Sequence, residues 1–195
     1  MTRLLLVAHA LDASLRQAVF GGTTDLDPAG AAQARELVAQ GNGMPDNWVR
    51  DADLVLTGPS PACRQTVDAF GAAAKDEDSL ADCDYGRWTG RALAEVAATE
   101  PDAVQRWLTD PDAAPHGGES LSGLVRRTGR WLDGLATERR TQVVAVTTAA
   151  VVRAAVVHVL GAPANALWQV DVPPLAVVRL DARGPRWRLT LGGSS

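Results

Sequence analysis

Three short apolar runs, Leu4-Leu5-Leu6-Val7-Ala8, Leu54-Val55-Leu56-Thr57 and Val143-Val144-Ala145-Val146-Thr147, constrain this chain more than any other feature. A strand with one face in water alternates apolar and polar residues. A run without alternation must be covered on both faces, as in a parallel sheet held between helices. Each run leads to a helix with a legible boundary. Asp27 caps a helix that starts at Pro28 and turns Ala31, Ala34 and Val38 to one side, and Ser60 does the same before Pro61, with Val67 and Phe70 inward. Gly161 and Pro163 stop a helix running from about Ala149 to Leu160. The repeated order of strand, loop and helix predicts an α/β fold, a three-layer α/β/α sandwich around a mostly parallel central sheet.

The rest of the chain fits one domain over 1–195. Leu121, Leu124, Val125, Thr128, Leu132 and Leu135 recur at helical spacing and predict a core helix over about Ser120 to Ala136. Leu175 to Leu180 and Trp187 to Leu191, around Asp181-Ala182-Arg183-Gly184-Pro185, predict a hairpin at a sheet edge. Between about 75 and 118 the pattern breaks into an acidic run and short pieces punctuated by Gly and Pro, read as a cap inserted over the sheet.

Composition removes several function classes. With 19 basic and 23 acidic side chains the net charge is -4, and no basic stripe invites nucleic acid or an anionic membrane. No apolar run approaches the ~18 residues of a membrane span. The apolar stretch after Arg3 is also shorter than a secretion signal requires. Cys63 and Cys83 form no Cys-x-x-Cys pair and read as buried thiols in a reduced, cytoplasmic protein. Trp88 and the other five tryptophans fit core or interface packing, and an oligomer of identical chains is compatible with them.

In such sheets ligands sit beyond the carboxyl ends of the strands. That draws attention to His9, Arg64 and Thr148. The first strand leads into Ala8-His9-Ala10-Leu11-Asp12, and Leu26-Asp27-Pro28-Ala29-Gly30-Ala31-Ala32-Gln33-Ala34 opens the next helix. The second strand is followed by Ser60-Pro61-Ala62-Cys63-Arg64-Gln65-Thr66. Then come Leu80-Ala81-Asp82-Cys83-Asp84-Tyr85-Gly86-Arg87-Trp88-Thr89-Gly90, Gly117-Gly118-Glu119-Ser120 with Arg127 beyond, and Thr147-Thr148-Ala149-Ala150-Val151. In order and spacing these segments resemble the histidine phosphatase superfamily, the phosphoglycerate mutase-like proteins, whose corresponding elements read Arg-His-Gly-x-Thr, Leu-Thr-x-x-Gly-x-x-Gln-Ala, Ser-Pro-x-x-Arg-x-x-x-Thr, Leu-x-Glu-x-x-x-Gly-x-Trp-x-Gly, Gly-Gly-Glu-Ser and Thr-His-x-x-Val.

The resemblance implies phosphoryl transfer through a phosphohistidine. His9 would be the nucleophile, Arg64 a phosphate-binding arginine and Asp82 the acid that protonates the leaving oxygen. It also exposes departures: Ala8 stands for an arginine, Ala10 for glycine, Asp12 for threonine and Thr148 for the second histidine. Each donor removed from a developing anion costs about 2.7 to 4 kcal/mol. Two losses reduce turnover by roughly ten-thousandfold or more.

Other groups are candidates to compensate or to bind. Arg16, in the loop after His9, and His116, before Gly117, could replace missing donors, whereas His158 sits too far along its helix to take part. Asp12, Asp82, Glu119 and His9 do not have the spacing of a metal motif, and neither metal nor cofactor is expected. The expectation is a degenerate member that binds a small polar or phosphorylated molecule through Arg64, Glu119, Asp12, Arg16 and Thr148 around His9. A non-phosphatase reaction with His9 and Asp82 as base and acid fits the same residues. The alternatives are a working phosphomonoesterase with substitute donors and a scaffold for protein contacts.

Overall fold

The computed structural model describes residues 1–22, 24–41, 47–137, 142–184 and 186–191. In chain order the elements are β1 (Thr2–Ala8), α1 (Ala13–Arg16), α2 (Pro28–Gln40), β2 (Leu54–Thr57), α3 (Pro61–Ala69), β3 (Lys75–Asp76), α4 (Leu93–Thr99) and α5 (Pro101–Thr109). They are followed by α6 (Leu121–Thr137), β4 (Gln142–Thr147), α7 (Ala149–Leu160), β5 (Val177–Arg183) and β6 (Arg186–Thr190). The six strands form one sheet in the order β3-β2-β4-β1-β5-β6. The strands β1 to β4 run parallel, and β5 and β6 close one side antiparallel.

Both faces of β1 are covered, as its unbroken apolarity predicts. Leu4 and Leu6 pack into the cluster that holds Leu124 and Leu132 of α6 and Val151 and Val152 of α7. Leu5 and Val7 pack into the opposite cluster with Ala34 and Leu37 of α2 and Val67 and Phe70 beside α3. All four β1 side chains are fully buried, each worth about 1.5 to 3 kcal/mol relative to exposure.

The chain leaves β1 toward α2 on one face and leaves β4 toward α7 on the other. The loops after these adjacent strands therefore diverge and open a crevice at their carboxyl ends. Register puts Ala8 beside Thr147 there, and the His9 N–H donates to the Thr147 carbonyl at 2.8 Å.

Helix starts follow the sequence signals. Asp27 accepts from the Gly30 N–H at 2.6 Å and Ser60 from the Cys63 N–H at 3.2 Å, each before a proline at the first turn. The stretch read as a cap contains two helices that its punctuation concealed. In α4 and α5 Val96, Val104 and Trp107 are buried beneath the surface, and Pro101 serves at the first turn of α5, where its missing N–H costs nothing. Lys75 and Asp76 belong to the sheet, pairing with Leu56 and Thr57. The hairpin turn is tighter than expected, because Asp181, Ala182 and Arg183 are strand residues and Arg183 pairs with Arg186. Gly184 turns with φ +67°, and Pro185 lies outside the described residues. Gly86, φ +47°, lets the cap approach itself closely: a Cβ there would come within 2.3 Å of the His116 carbonyl oxygen.

Candidate functional site

The crevice is a cavity of about 250 Å³ in whose wall lie His9, Asp12, Asp82, Tyr85, Thr148 and Arg153. A neighbouring recess of about 220 Å³, between Pro59, Pro61 and Leu80, shares Asp82 and Thr148 with it. The apolar part of the wall is formed by Leu15, Val19, Phe20 and Leu93. This wall is made when the loop after α1 crosses the cap: Val19 bridges Ala92 and Phe20 exchanges backbone bonds with Gly90 and Arg91.

His9 is held by its own loop. Its Nδ1 lies 2.8 Å from the Ala10 carbonyl oxygen. A carbonyl only accepts, so the proton is on Nδ1 and Nε2 is the nitrogen left for chemistry. The Ala10 N–H donates to the Thr66 hydroxyl at 3.0 Å, which fixes the loop to the buried face of α3.

Asp82 is joined to Thr148. The Thr148 hydroxyl donates to Asp82 Oδ1 at 2.8 Å, and the Cys83 N–H donates to the same oxygen at 2.9 Å. Burial pushes the Asp82 carboxyl above the ordinary range, with these two bonds and the nearby His9 and Arg127 opposing the shift. The Thr148 hydroxyl is turned to Asp82, and α7 starts without a side-chain cap.

Glu119 is outside this wall. Arg127 grips its two carboxylate oxygens at 3.0 and 2.8 Å and donates to the carbonyls of Ser79, Ala81 and Asp82. Glu119 thus bears on the site through Arg127, which braces the segment that presents Asp82. Asp12 lines the cavity, but its carboxylate is committed: Oδ1 accepts from the Leu15 N–H at 2.8 Å, capping α1, and Oδ2 accepts from the Thr24 hydroxyl at 3.0 Å.

Arg64 and Arg16 are placed elsewhere. Arg64 points out from α3 and spans Asp76 with two bonds of 3.1 and 2.8 Å, its side chain half exposed. The helix face that meets the His9 loop carries Thr66 and, one turn earlier, Ala62, both buried. Counted back from Thr66, the Arg-x-x-x-Thr spacing reaches Ala62 rather than Arg64. Arg16 leans outward onto Asp27 at 2.7 Å. His116 does not reach the cavity either. It is buried against Trp88, 5.0 Å between ring centroids, and its Nδ1 accepts from the Gly118 N–H at 3.1 Å. Burial lowers its pKa. His158 meets Asp133 on the surface at 3.3 Å.

The two thiols are buried, and desolvation pushes Cys63 up to about 12 and raises Cys83 as well. Among the described residues no group of three or more His, Cys, Asp or Glu side chains is arranged to hold a metal ion, and no helix is long and apolar enough to cross a membrane.

Sequence reasoning did not single out Arg153. Its signal was the helical spacing from Ala149, four residues before, which puts both on the face of α7 that borders the crevice.

The sequence pattern of the histidine phosphatase superfamily (branch 1) matches residues 4–194. The bifunctional protein Rv2228c of Mycobacterium tuberculosis is 32% identical over 140 residues, covering 68% of this chain and 36% of that protein. The chain thus spans about a third of the length of the mycobacterial relatives it matches. Mycobacterial glucosyl-3-phosphoglycerate phosphatase Rv2419c, in complex with VO3, superposes with a TM-score of 0.82 at 22% identity over 100% of both chains. Phosphoserine phosphatase of Entamoeba histolytica, in complex with 3-phosphoglyceric acid, superposes with a TM-score of 0.80 at 19% identity, over 100% of this chain and 98% of that one. At such identities the likeness establishes the fold.

Proposed function

Because the chain belongs to the histidine phosphatase superfamily, we propose that it keeps the family's crevice as a binding site for a small polar or anionic molecule, with phosphoryl transfer lost or reduced to a trace. The observation that carries this reading is the outward placement of Arg64 and Arg16 in ion pairs with Asp76 and Asp27, while Ala8 and Ala62 present only methyl groups. A phosphate at His9 would lack two guanidinium partners and a second imidazole. Each such donor is worth about a hundred- to thousandfold in rate. On this reading the protein is cytoplasmic and its partner is a small molecule.

The experiment is phosphate release from a panel of phosphomonoesters by the protein and by His9→Ala. Indistinguishable rates, or a His9-dependent trace roughly ten-thousandfold below a typical turnover of about 10 per second, support the reading; efficient turnover that disappears in the variant overturns it.

A second reading, a working phosphomonoesterase, is favoured by the bond from His9 Nδ1 to Ala10, which leaves Nε2 for attack on phosphorus. Asp82, held protonated to higher pH than an ordinary carboxyl, would then donate to the leaving oxygen.

A further inference from the structure

Arg153 differs in its bonding from five arginines of the cap and crevice that hold carboxylates. Arg16, Arg64, Arg87, Arg91 and Arg127 are all paired with carboxylates. Arg153 instead makes one bond to the backbone, from Nε to the Val170 carbonyl at 2.9 Å. Among the described residues no carboxylate neutralises it, although it lies in a cavity wall that contains two, Asp12 and Asp82. The bond to Val170 fixes the stem and leaves the two terminal nitrogens, a planar fork suited to an oxyanion. Three further features share the same cavity: the phenol of Tyr85, which feels the Arg153 charge, the uncapped start of α7 at Ala149 and Ala150, and the apolar wall of Leu15, Val19, Phe20 and Leu93.

We propose that Arg153 is the anion-recognition residue of the His9 cavity, seating the carboxylate or phosphate of a small ligand whose apolar part lies against Leu15, Val19, Phe20 and Leu93. The proposal rests on the reading of the crevice as a binding site. Arg153 follows Ala149 by one helical turn, a rise of about 6 Å along α7, so it joins the cavity wall from the helix and not from the strand end that carries His9. The ligand is short, because the cavity of about 250 Å³ falls below the ~300 to 1,000 Å³ of drug-sized sites.

The test is calorimetric titration of the full chain with hexanoate, hexyl phosphate and the uncharged hexanamide. Either anion is expected to bind more tightly than hexanamide, and the preferred one identifies the head group as carboxylate or phosphate. Arg153→Met should weaken that anion at least tenfold, whereas Arg64→Met, which removes the same charge outside the cavity, should leave it within threefold. Arg153→Lys separates charge from packing: it should recover part of the affinity at the same melting temperature as Arg153→Met. Equal losses in the Arg153→Met and Arg64→Met proteins, or no loss in the former, would overturn the assignment. Loss of binding in His9→Ala with Arg153→Met unaffected overturns the role of Arg153 but keeps the cavity as a site. Saturable binding of none of the three probes overturns both.

Discussion

The Thr148 hydroxyl donates to Asp82 Oδ1 at 2.8 Å, joining the end of β4 to a cap segment 66 residues earlier in the chain. The chain presents at this strand end a hydroxyl bonded to a carboxyl of its own cap. The bond gives the Asp82 carboxyl a fixed direction at the cavity wall, beside a start of α7 that has no side-chain cap.

Asp82 makes stability depend on pH in a determined direction. Its folded pKa is raised above the ordinary 3.8, chiefly by desolvation. The stability this gives is full below the unfolded value and is lost as pH rises through the folded one. Asp82→Asn keeps the acceptor oxygen without the charge. Its melting temperature relative to the native protein should therefore climb as pH rises above the ordinary 3.8, and thermal melts from about pH 3.5 upward check it; a constant difference would refute the raised pKa.

Arg127 is predicted to matter more for stability than any exposed arginine. Arg127→Met leaves Glu119 without its cation and frees three carbonyls, which should cost about 2 to 3 kcal/mol in urea unfolding. Adding Glu119→Gln should cost less than the sum of the single changes, because both disrupt one interaction.

Arg64→Ala should change stability by less than about 0.5 kcal/mol, the usual scale for an exposed ion pair. Chemical unfolding measures this directly, and a larger loss would show that the contact with Asp76 is structural.

Ala62 supplies a test of the family register. Ala8→Arg with Thr148→His should recover only part of the phosphate release, and adding Ala62→Arg should raise it further by about a hundredfold or more, the worth of one preorganised donor. A full gain without Ala62→Arg would place the missing arginine elsewhere.

The thiols should be inert in the folded protein. With Cys63 at about 12 and Cys83 also raised, alkylation at about pH 8 should run at least about a hundredfold slower than in the urea-unfolded chain. Rapid labelling of the native protein would show a thiol open to solvent.

The layers of this protein and the borders of its principal helices are legible in its residues. Unbroken apolarity at Leu4 to Val7 leaves a strand no exposed face, and Asp27, Ser60 and Gly161 act on backbone groups within a few residues of themselves, so these outcomes are local. His9, Asp82 and Thr148 could also be assigned to one crevice, because strand ends and a family spacing locate them. Tertiary structure alone decided which way the charged side chains point. Arg64 lies two positions past the buried Ala62 on α3, and that rotation of about 200° about the helix axis turns a candidate phosphate ligand toward Asp76. Glu119 and Asp12 carry the carboxylates a binding site would use, but Arg127 and the start of α1 claim them through contacts that form only when distant segments pack. Helical spacing puts Arg153 on the same face of α7 as Ala149, but that this face borders the cavity depends on how α7 lies against the cap and the loop after β1.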